Sequence, residues 1–181
     1  MYEIEVYQDA KGRSPLKEWI DALDRAASSD KNSGIQLRQL LYQIERLRVS
    51  GPHVSTVIAK QIEGETRVAR LDYKALKGGI EMSKWSEVAG GVRSVPESEK
   101  RKIEIMAQLV EAIIARRKEL GLTQEEVALR AGIRQSAVAR LEGGAAIPRL
   151  DTIVKIAIGL GLDVKLIANT MDEQAAARFV G

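Results

Sequence analysis

The stretch that most restricts this chain is a pair of very short apolar-periodic segments parted by one glycine. Residues 123–131 place Val127, Ala128 and Ala131 at helical spacing, and residues 134–142 place Val138 and Leu141 likewise. Between them stands Gly132, which supplies the left-handed backbone that a tight interhelical turn needs. Ile133 is expected to fill the space beneath that turn. Ala128 is small where two helices would cross closely. Thr123 stands as N-cap of the first segment, and Glu126 three residues on completes the pattern of a capping box.

The outward side of the second segment carries Arg134, Gln135, Ser136, Ala139 and Arg140. A merely solvated helix tends to carry Glu and Lys at i,i+4 spacing. Here no acid occurs before Glu142. Gln pairs bidentately with adenine and Arg with guanine, while a small Ala lets a helix sit deep and touch a thymine methyl. Ser136 serves a base edge or a phosphate. The helix N-terminus adds free N–H groups for a phosphate.

Composition bounds the alternatives. The chain has no cysteine and one histidine, His53, which excludes disulfides, a Cys nucleophile and Cys- or His-based metal sites. No run approaches the roughly 20 apolar residues of a membrane helix. The first residues lack the basic start and apolar stretch of a signal peptide, so a cytoplasmic protein without a membrane partner is expected. The net charge of +3 permits a nucleic-acid partner without demanding one. Neither a cofactor nor a metal is expected.

Upstream, residues 2–7 alternate as a strand, with Tyr2, Ile4 and Val6 on one side. Ser14 and Pro15 then mark a helix start, followed by Leu16, Trp19, Ile20 and Leu23 as an apolar stripe. Residues 28–34 are polar and break the pattern. Residues 35–49 resume it with Leu37, Leu40, Leu41, Ile44 and Leu47, and Gly51-Pro52 stops it. Residues 53–63 are ambiguous, with a short strand open at 56–58, and residues 65–77 read as a surface helix. The organisation expected is residues 1–80, a linker at 81–96, a helical domain at 97–169 and a fraying tail at 170–181. Within the helical domain, helices are expected at 96–120, 123–131, 134–142 and 149–160, and a strand at 164–167.

The segment TQEEVALRAGIRQSAVARLEGGAAIPRLDTIVKIAIGLGL resembles the XRE-type helix-turn-helix family. The resemblance lies in Thr123-Gln124, Val127-Ala128, Gly132-Ile133, Gln135-Ser136, Val138, Arg140-Leu141-Glu142, Pro148, Ile156-Ala157 and Leu160-Gly161-Leu162. It implies a mainly α chain with a five-helix, lambda-repressor-like domain that reads the major groove through its third helix. The DNA-contact set so implied is Thr123, Gln124, Arg134, Gln135, Ser136, Ala139, Arg140 and Arg149, with Gln124 on a phosphate. Arg134 and Arg149 fit plain surface charges equally well. One module binds weakly, so a homodimer on a palindromic operator is expected.

Residues 1–64, with the strand, the Gly-Arg-Ser-Pro start, Trp19 and the Leu-rich helix, resemble HigB-like, phage-type members of the RelE/ParE toxin superfamily. The remainder, from Met82-Ser83-Lys84-Trp85, resembles the partner antitoxin HigA. The resemblance implies a small α+β toxin remnant fused to an antitoxin-type repressor that autorepresses its operon and binds a HigB-like toxin. Family toxins are RNases whose active site lies on later strands that this chain lacks. Metal-free RNA cleavage needs a base, an acid and cations around the phosphate. His53 reads as a loop residue, and Arg67, Arg70, Tyr73 and Lys74 as a solvated helix face. Asp9, Glu18, Asp21 and Asp24 read as surface and capping charges. No catalytic residue and no enzyme activity are therefore expected, the alternative being a retained mRNA interferase. The strand at 2–7 would pair with residues 56–58, with residues 164–167 or with a second copy.

Overall fold

A computed structural model describes residues 4–8, 11–50 and 82–166. In chain order the elements are β1 (Glu5–Tyr7), α1 (Pro15–Ala26), α2 (Lys31–Ser50), β2 (Met82–Lys84), α3 (Trp85–Gly91) and α4 (Glu97–Glu119). They continue with α5 (Gln124–Ala131), α6 (Gln135–Gly143) and α7 (Leu150–Gly159). The fold is mainly helical. Among the described residues, no helix is long and apolar enough to cross a membrane. His53, the expected strand at 56–58, the helix at 65–77 with Arg67, Arg70, Tyr73 and Lys74, Asp9 and the tail at 170–181 lie outside the described residues.

Helix α1 begins as its sequence dictates. Ser14 adopts an extended conformation and its hydroxyl accepts from the Lys17 N–H at 3.3 Å, with Pro15 in the first turn. Its inner face is Ile20 and Leu23, whereas Trp19, expected in the apolar stripe, stays exposed. Helix α2 starts four residues before the expected position 35. The reason is Asp30, whose carboxylate accepts from the N–H groups of Asn32 and Ser33 at 3.1 and 2.8 Å. A polar run read as a break is thus a cap.

Helix α4 is the spine. It buries Ile103, Met106, Ala107, Val110, Ile113 and Ile114, and α2 lies along it while α6 and α7 pack on it farther down. The buried apolar side chains form one continuous core from Val6 through Leu37 and Val110 to Leu160. Arg46 is 1% exposed within it, its guanidinium 2.6 Å from Glu111 and 5.9 Å from the centroid of the Tyr42 ring. Burial pushes the Tyr42 phenol up to about 12, so it stays neutral.

Several expectations are corrected here. The strand β1 pairs antiparallel with β2, a partner the sequence did not suggest, in the register Glu5 to Lys84, Val6 to Ser83 and Tyr7 to Met82. Residues 164–166 form no strand. The stretch expected as a linker carries β2 and α3, and buries Trp85, Val88, Val92 and Val95. Trp85 explains why: its ring sits in the core while its indole N–H donates to Glu45 at 2.9 Å. Asp24, expected as a surface or capping charge, pins the turn before α4 by accepting from the N–H groups of Arg93 and Ser94. Burial opposes its charge, but the two N–H groups together with the Ser94 side chain and the Lys100 charge outweigh it and hold the carboxyl below its usual value. Among the described N-terminal residues there is one short strand with two helices, and the sheet of a RelE-like fold is not among them.

Candidate nucleic-acid interface

The site is built on α5, the turn after it, and α6. The Thr123 hydroxyl accepts from the Glu126 N–H at 3.2 Å while the Glu126 carboxylate accepts from the Thr123 N–H at 2.8 Å, so the capping box forms as its spacing required. At the other end Gly132 takes φ 63°. The Ile133 N–H reaches back to the Ala128 carbonyl and the Gly132 N–H to that of Leu129, which closes the helix and turns the chain. Ile133 is half-buried under the turn and Ala128 fully buried. The far side of α5 is held by α7. A Cβ on Gly159 would meet the Ala131 nitrogen at 3.1 Å, so any side chain there would press the backbones of α5 and α7 apart.

Helix α6 starts one residue later than its apolar spacing suggests, with Arg134 as an extended N-cap instead of its first residue. Val138 and Leu141 are buried against the neighbouring helices. Gln135, Ser136 and Arg140 are exposed, and Ala139 is half-buried between them. Arg140 lies back along its own helix, donating to the Ser136 carbonyl at 3.2 Å.

A polar relay fixes the exposed end of this surface. The Arg117 guanidinium on α4 grips both oxygens of the buried Glu142 carboxylate, at 2.5 and 2.8 Å, and donates to the Leu122 carbonyl at 2.8 Å. Glu142 also accepts from the Gln124 side-chain amide at 2.9 Å. The Gln124 carbonyl oxygen in turn accepts from the Gln135 amide at 3.0 Å. Each amide therefore has a defined orientation. Gln135 keeps one N–H and its carbonyl oxygen for an outside partner, which is the donor and acceptor pair that matches adenine N7 and N6. Gln124 keeps one N–H, enough for a phosphate oxygen.

The eight residues singled out from the sequence are not equivalent in place. Gln124 and Gln135 are joined directly, and Ser136, Ala139 and Arg140 share the outer face of α6. Thr123 is next to Gln124, but its hydroxyl is taken up by Glu126, on which it also donates at 2.8 Å. Arg134 is exposed at the mouth of α6, and Arg149 is exposed as N-cap of α7, paired with Asp151 at 3.1 Å. Among the described residues, Arg149 makes no hydrogen bond or ion pair with the other seven. Neither α6 nor α7 has a side-chain cap, so their first N–H groups are open to an anion. The sequence reading missed Arg117 and the hub role of Glu142. A buried carboxylate demands a cation, but the one that answers it lies on another helix.

This geometry is that of a helix-turn-helix domain. Residues 113–167 match the family model described as Helix-turn-helix. A curated protein of Haemophilus influenzae (strain ATCC 51907 / DSM 11121 / KW20 / Rd), described as an uncharacterized HTH-type transcriptional regulator, is 28% identical over 85 residues, covering 47% of this chain and 85% of that protein. No solved structure matches the chain.

Proposed function

We propose that this protein is a sequence-specific DNA-binding transcriptional regulator that reads operator DNA in the major groove through α6. The observation that carries the reading is the Gln124–Gln135 pair, held at the surface by the buried Glu142–Arg117 pair. A helix that only faced solvent would have no use for an amide fixed in this way. Gln135, Ser136 and Arg140 read bases with Ala139 against them, Gln124 meets a phosphate, and Arg134 and Arg149 add charge at the two uncapped helix starts. The description of the Haemophilus relative as a transcriptional regulator supports the same role.

The finer reading is of an antitoxin-type regulator that acts as a homodimer, autorepresses its operon and binds a HigB-like toxin. It is supported by the sequence resemblances at residues 1–64 and from Met82 onward.

The test is a gel shift of the full chain on its own promoter duplex across a salt series. Affinity should fall steeply with salt as phosphate contacts release counterions. Arg140→Ala and Gln135→Ala should each cost about 1–3 kcal/mol on the cognate duplex and relax its specificity. If Arg140→Ala binds the cognate duplex as tightly as wild type, the assignment of α6 is wrong. A pull-down with an intact HigB-like toxin tests the finer reading separately.

A further inference from the structure

The C-terminal end of α6 is not finished by the helix-turn-helix alone. A helix leaves its last carbonyls without intrahelical donors. Here Gly144, in the left-handed conformation at φ 67°, sends its N–H back to Leu141, yet the Gly144 carbonyl points away from the helix and is taken by the side-chain amide of Gln39. Gln39 lies on α2, far outside the stretch that matches the helix-turn-helix family. About two turns closer to the C-terminal end of α2, Arg46 reaches the Leu141 carbonyl at 3.4 Å while bound to Glu111 at 2.6 Å. Gly144 is itself buried, so this contact is screened from water.

We infer that α2 is a built-in brace of the DNA-reading helix, with Gln39 and Arg46 as positioning residues that set the tilt of α6. The inference rests on the DNA-reading role proposed above. Two clamps act on α6. The Glu142–Gln124 relay fixes the side bearing Gln135, and the α2 contacts fix the end at Leu141 and Gly144. Base-edge hydrogen bonds need correct distance and angle together. A reading helix held at one place only can pivot, and it then loses discrimination before it loses phosphate contact. The N-terminal helices are on this account a part of the reader. A helix-turn-helix freed from them would bind DNA less selectively.

Gln39 is the better probe, because it is half-buried and its truncation leaves no unpaired charge. The experiment selects a 20-base-pair duplex from a random library on the full wild-type chain. It then compares that duplex with its single-base-pair variants for wild type, Gln39→Leu and Gln39→Lys, at a temperature where each is folded by circular dichroism. Lysine can still donate to the Gly144 carbonyl and suits a helix C-terminus. Gln39→Leu should lower discrimination roughly 2- to 10-fold, the value of one hydrogen bond. Its salt slope should stay that of wild type, because the phosphate contacts are intact, and Gln39→Lys should restore discrimination. A role confined to packing would shift the melting temperature and leave discrimination unchanged, which overturns the inference. Equal losses in both variants overturn it as well. Failure of the wild-type chain to select any duplex would bring down the DNA reading itself, a result distinct from both.

Discussion

Helix α4 presents a carboxylate at Glu111 and a guanidinium at Arg117, and each is matched by an opposite charge from another helix. Arg46 meets Glu111 with side chains 1% and 13% exposed, and Glu142 meets Arg117 with side chains 9% and 16% exposed. In chemistry and burial the two pairs are alike, but they are wired differently. In the first the hub is the guanidinium, and its remaining contacts, the Tyr42 ring and the Leu141 carbonyl, all lie inside the protein. In the second the hub is the carboxylate, which has lone pairs to spare after binding Arg117. It uses one of them on Gln124, and through Gln124 on the exposed Gln135. The first pair closes a joint between helices. The second begins a chain of oriented dipoles that ends at solvent. A buried ion pair is thus no guide to function until its leftover partners are followed.

The comparison breaks most visibly at Arg46. Arg46→Ala leaves Glu111 unpaired and opens space beside Tyr42, and should cost about 3–5 kcal/mol of stability by urea denaturation. Replacing both partners by Met should recover most of that loss, because an apolar pair of similar volume avoids the desolvation cost. Glu142→Ala comes next. Arg117 keeps the Leu122 carbonyl and some solvent, so the loss should be nearer about 2–3 kcal/mol. It should also reduce discrimination between cognate and altered duplexes, measured by competition gel shift, because Gln124 and Gln135 lose their anchor. The Met pair at 46 and 111 removes the Arg46 contact to the Leu141 carbonyl but keeps the relay from Glu142 to Gln135, so it should lose some discrimination, as Gln39→Leu does, and less than Glu142→Ala. Equal losses would mean that the two pairs are not wired as differently as their contacts indicate.

The same contrast explains what the sequence made legible. The start and end of α5 follow from Thr123, Glu126 and Gly132, which act within a few residues of themselves. The inner face of α6 follows from the spacing of Val138 and Leu141. The outward polarity of Gln135, Ser136 and Arg140 was readable for the same reason. What escaped depends on distant partners. Glu142 looked like an ordinary acid near the end of a helix, since Arg117 stands on another helix across the turn. Residues 81–96 looked like a linker because Val92 and Val95 are buried by helices that lie elsewhere in the chain. The pairing of β1 with β2 brings residue 5 to residue 84, and no local pattern announces it. Asp30 is the exception, a local cap hidden in a polar run.

Smaller effects sharpen the comparison at α5, outside both ion pairs. Gly132→Ala meets no steric obstacle, since a Cβ there has nothing within 4 Å. The cost is therefore that of forcing a left-handed backbone on alanine, about 1–2 kcal/mol. Urea denaturation should show it with an unchanged slope. Once the protein is folded, discrimination should survive, because the relay from Glu142 to Gln135 does not pass through the turn.

The least effect is expected at Thr123, which its position had marked as a DNA contact. Its hydroxyl is spent inside the capping box, so Thr123→Ala should lose about 1 kcal/mol of stability and leave duplex affinity near that of wild type. The box also carries a pH signature. The Thr123 N–H, and after it the Thr123 hydroxyl, hold the exposed Glu126 carboxyl below the ordinary glutamate value of 4.5. A carboxyl whose folded value is depressed contributes stability above its unfolded value and loses it as pH falls through the folded one. The gap between wild type and Thr123→Ala should therefore be full at neutral pH and narrow on acidification below 4.5. A gap that stayed constant down to the acid transition would show that the Thr123 hydroxyl stabilises α5 only by accepting from the Glu126 N–H, with its bond to the Glu126 carboxylate worth nothing.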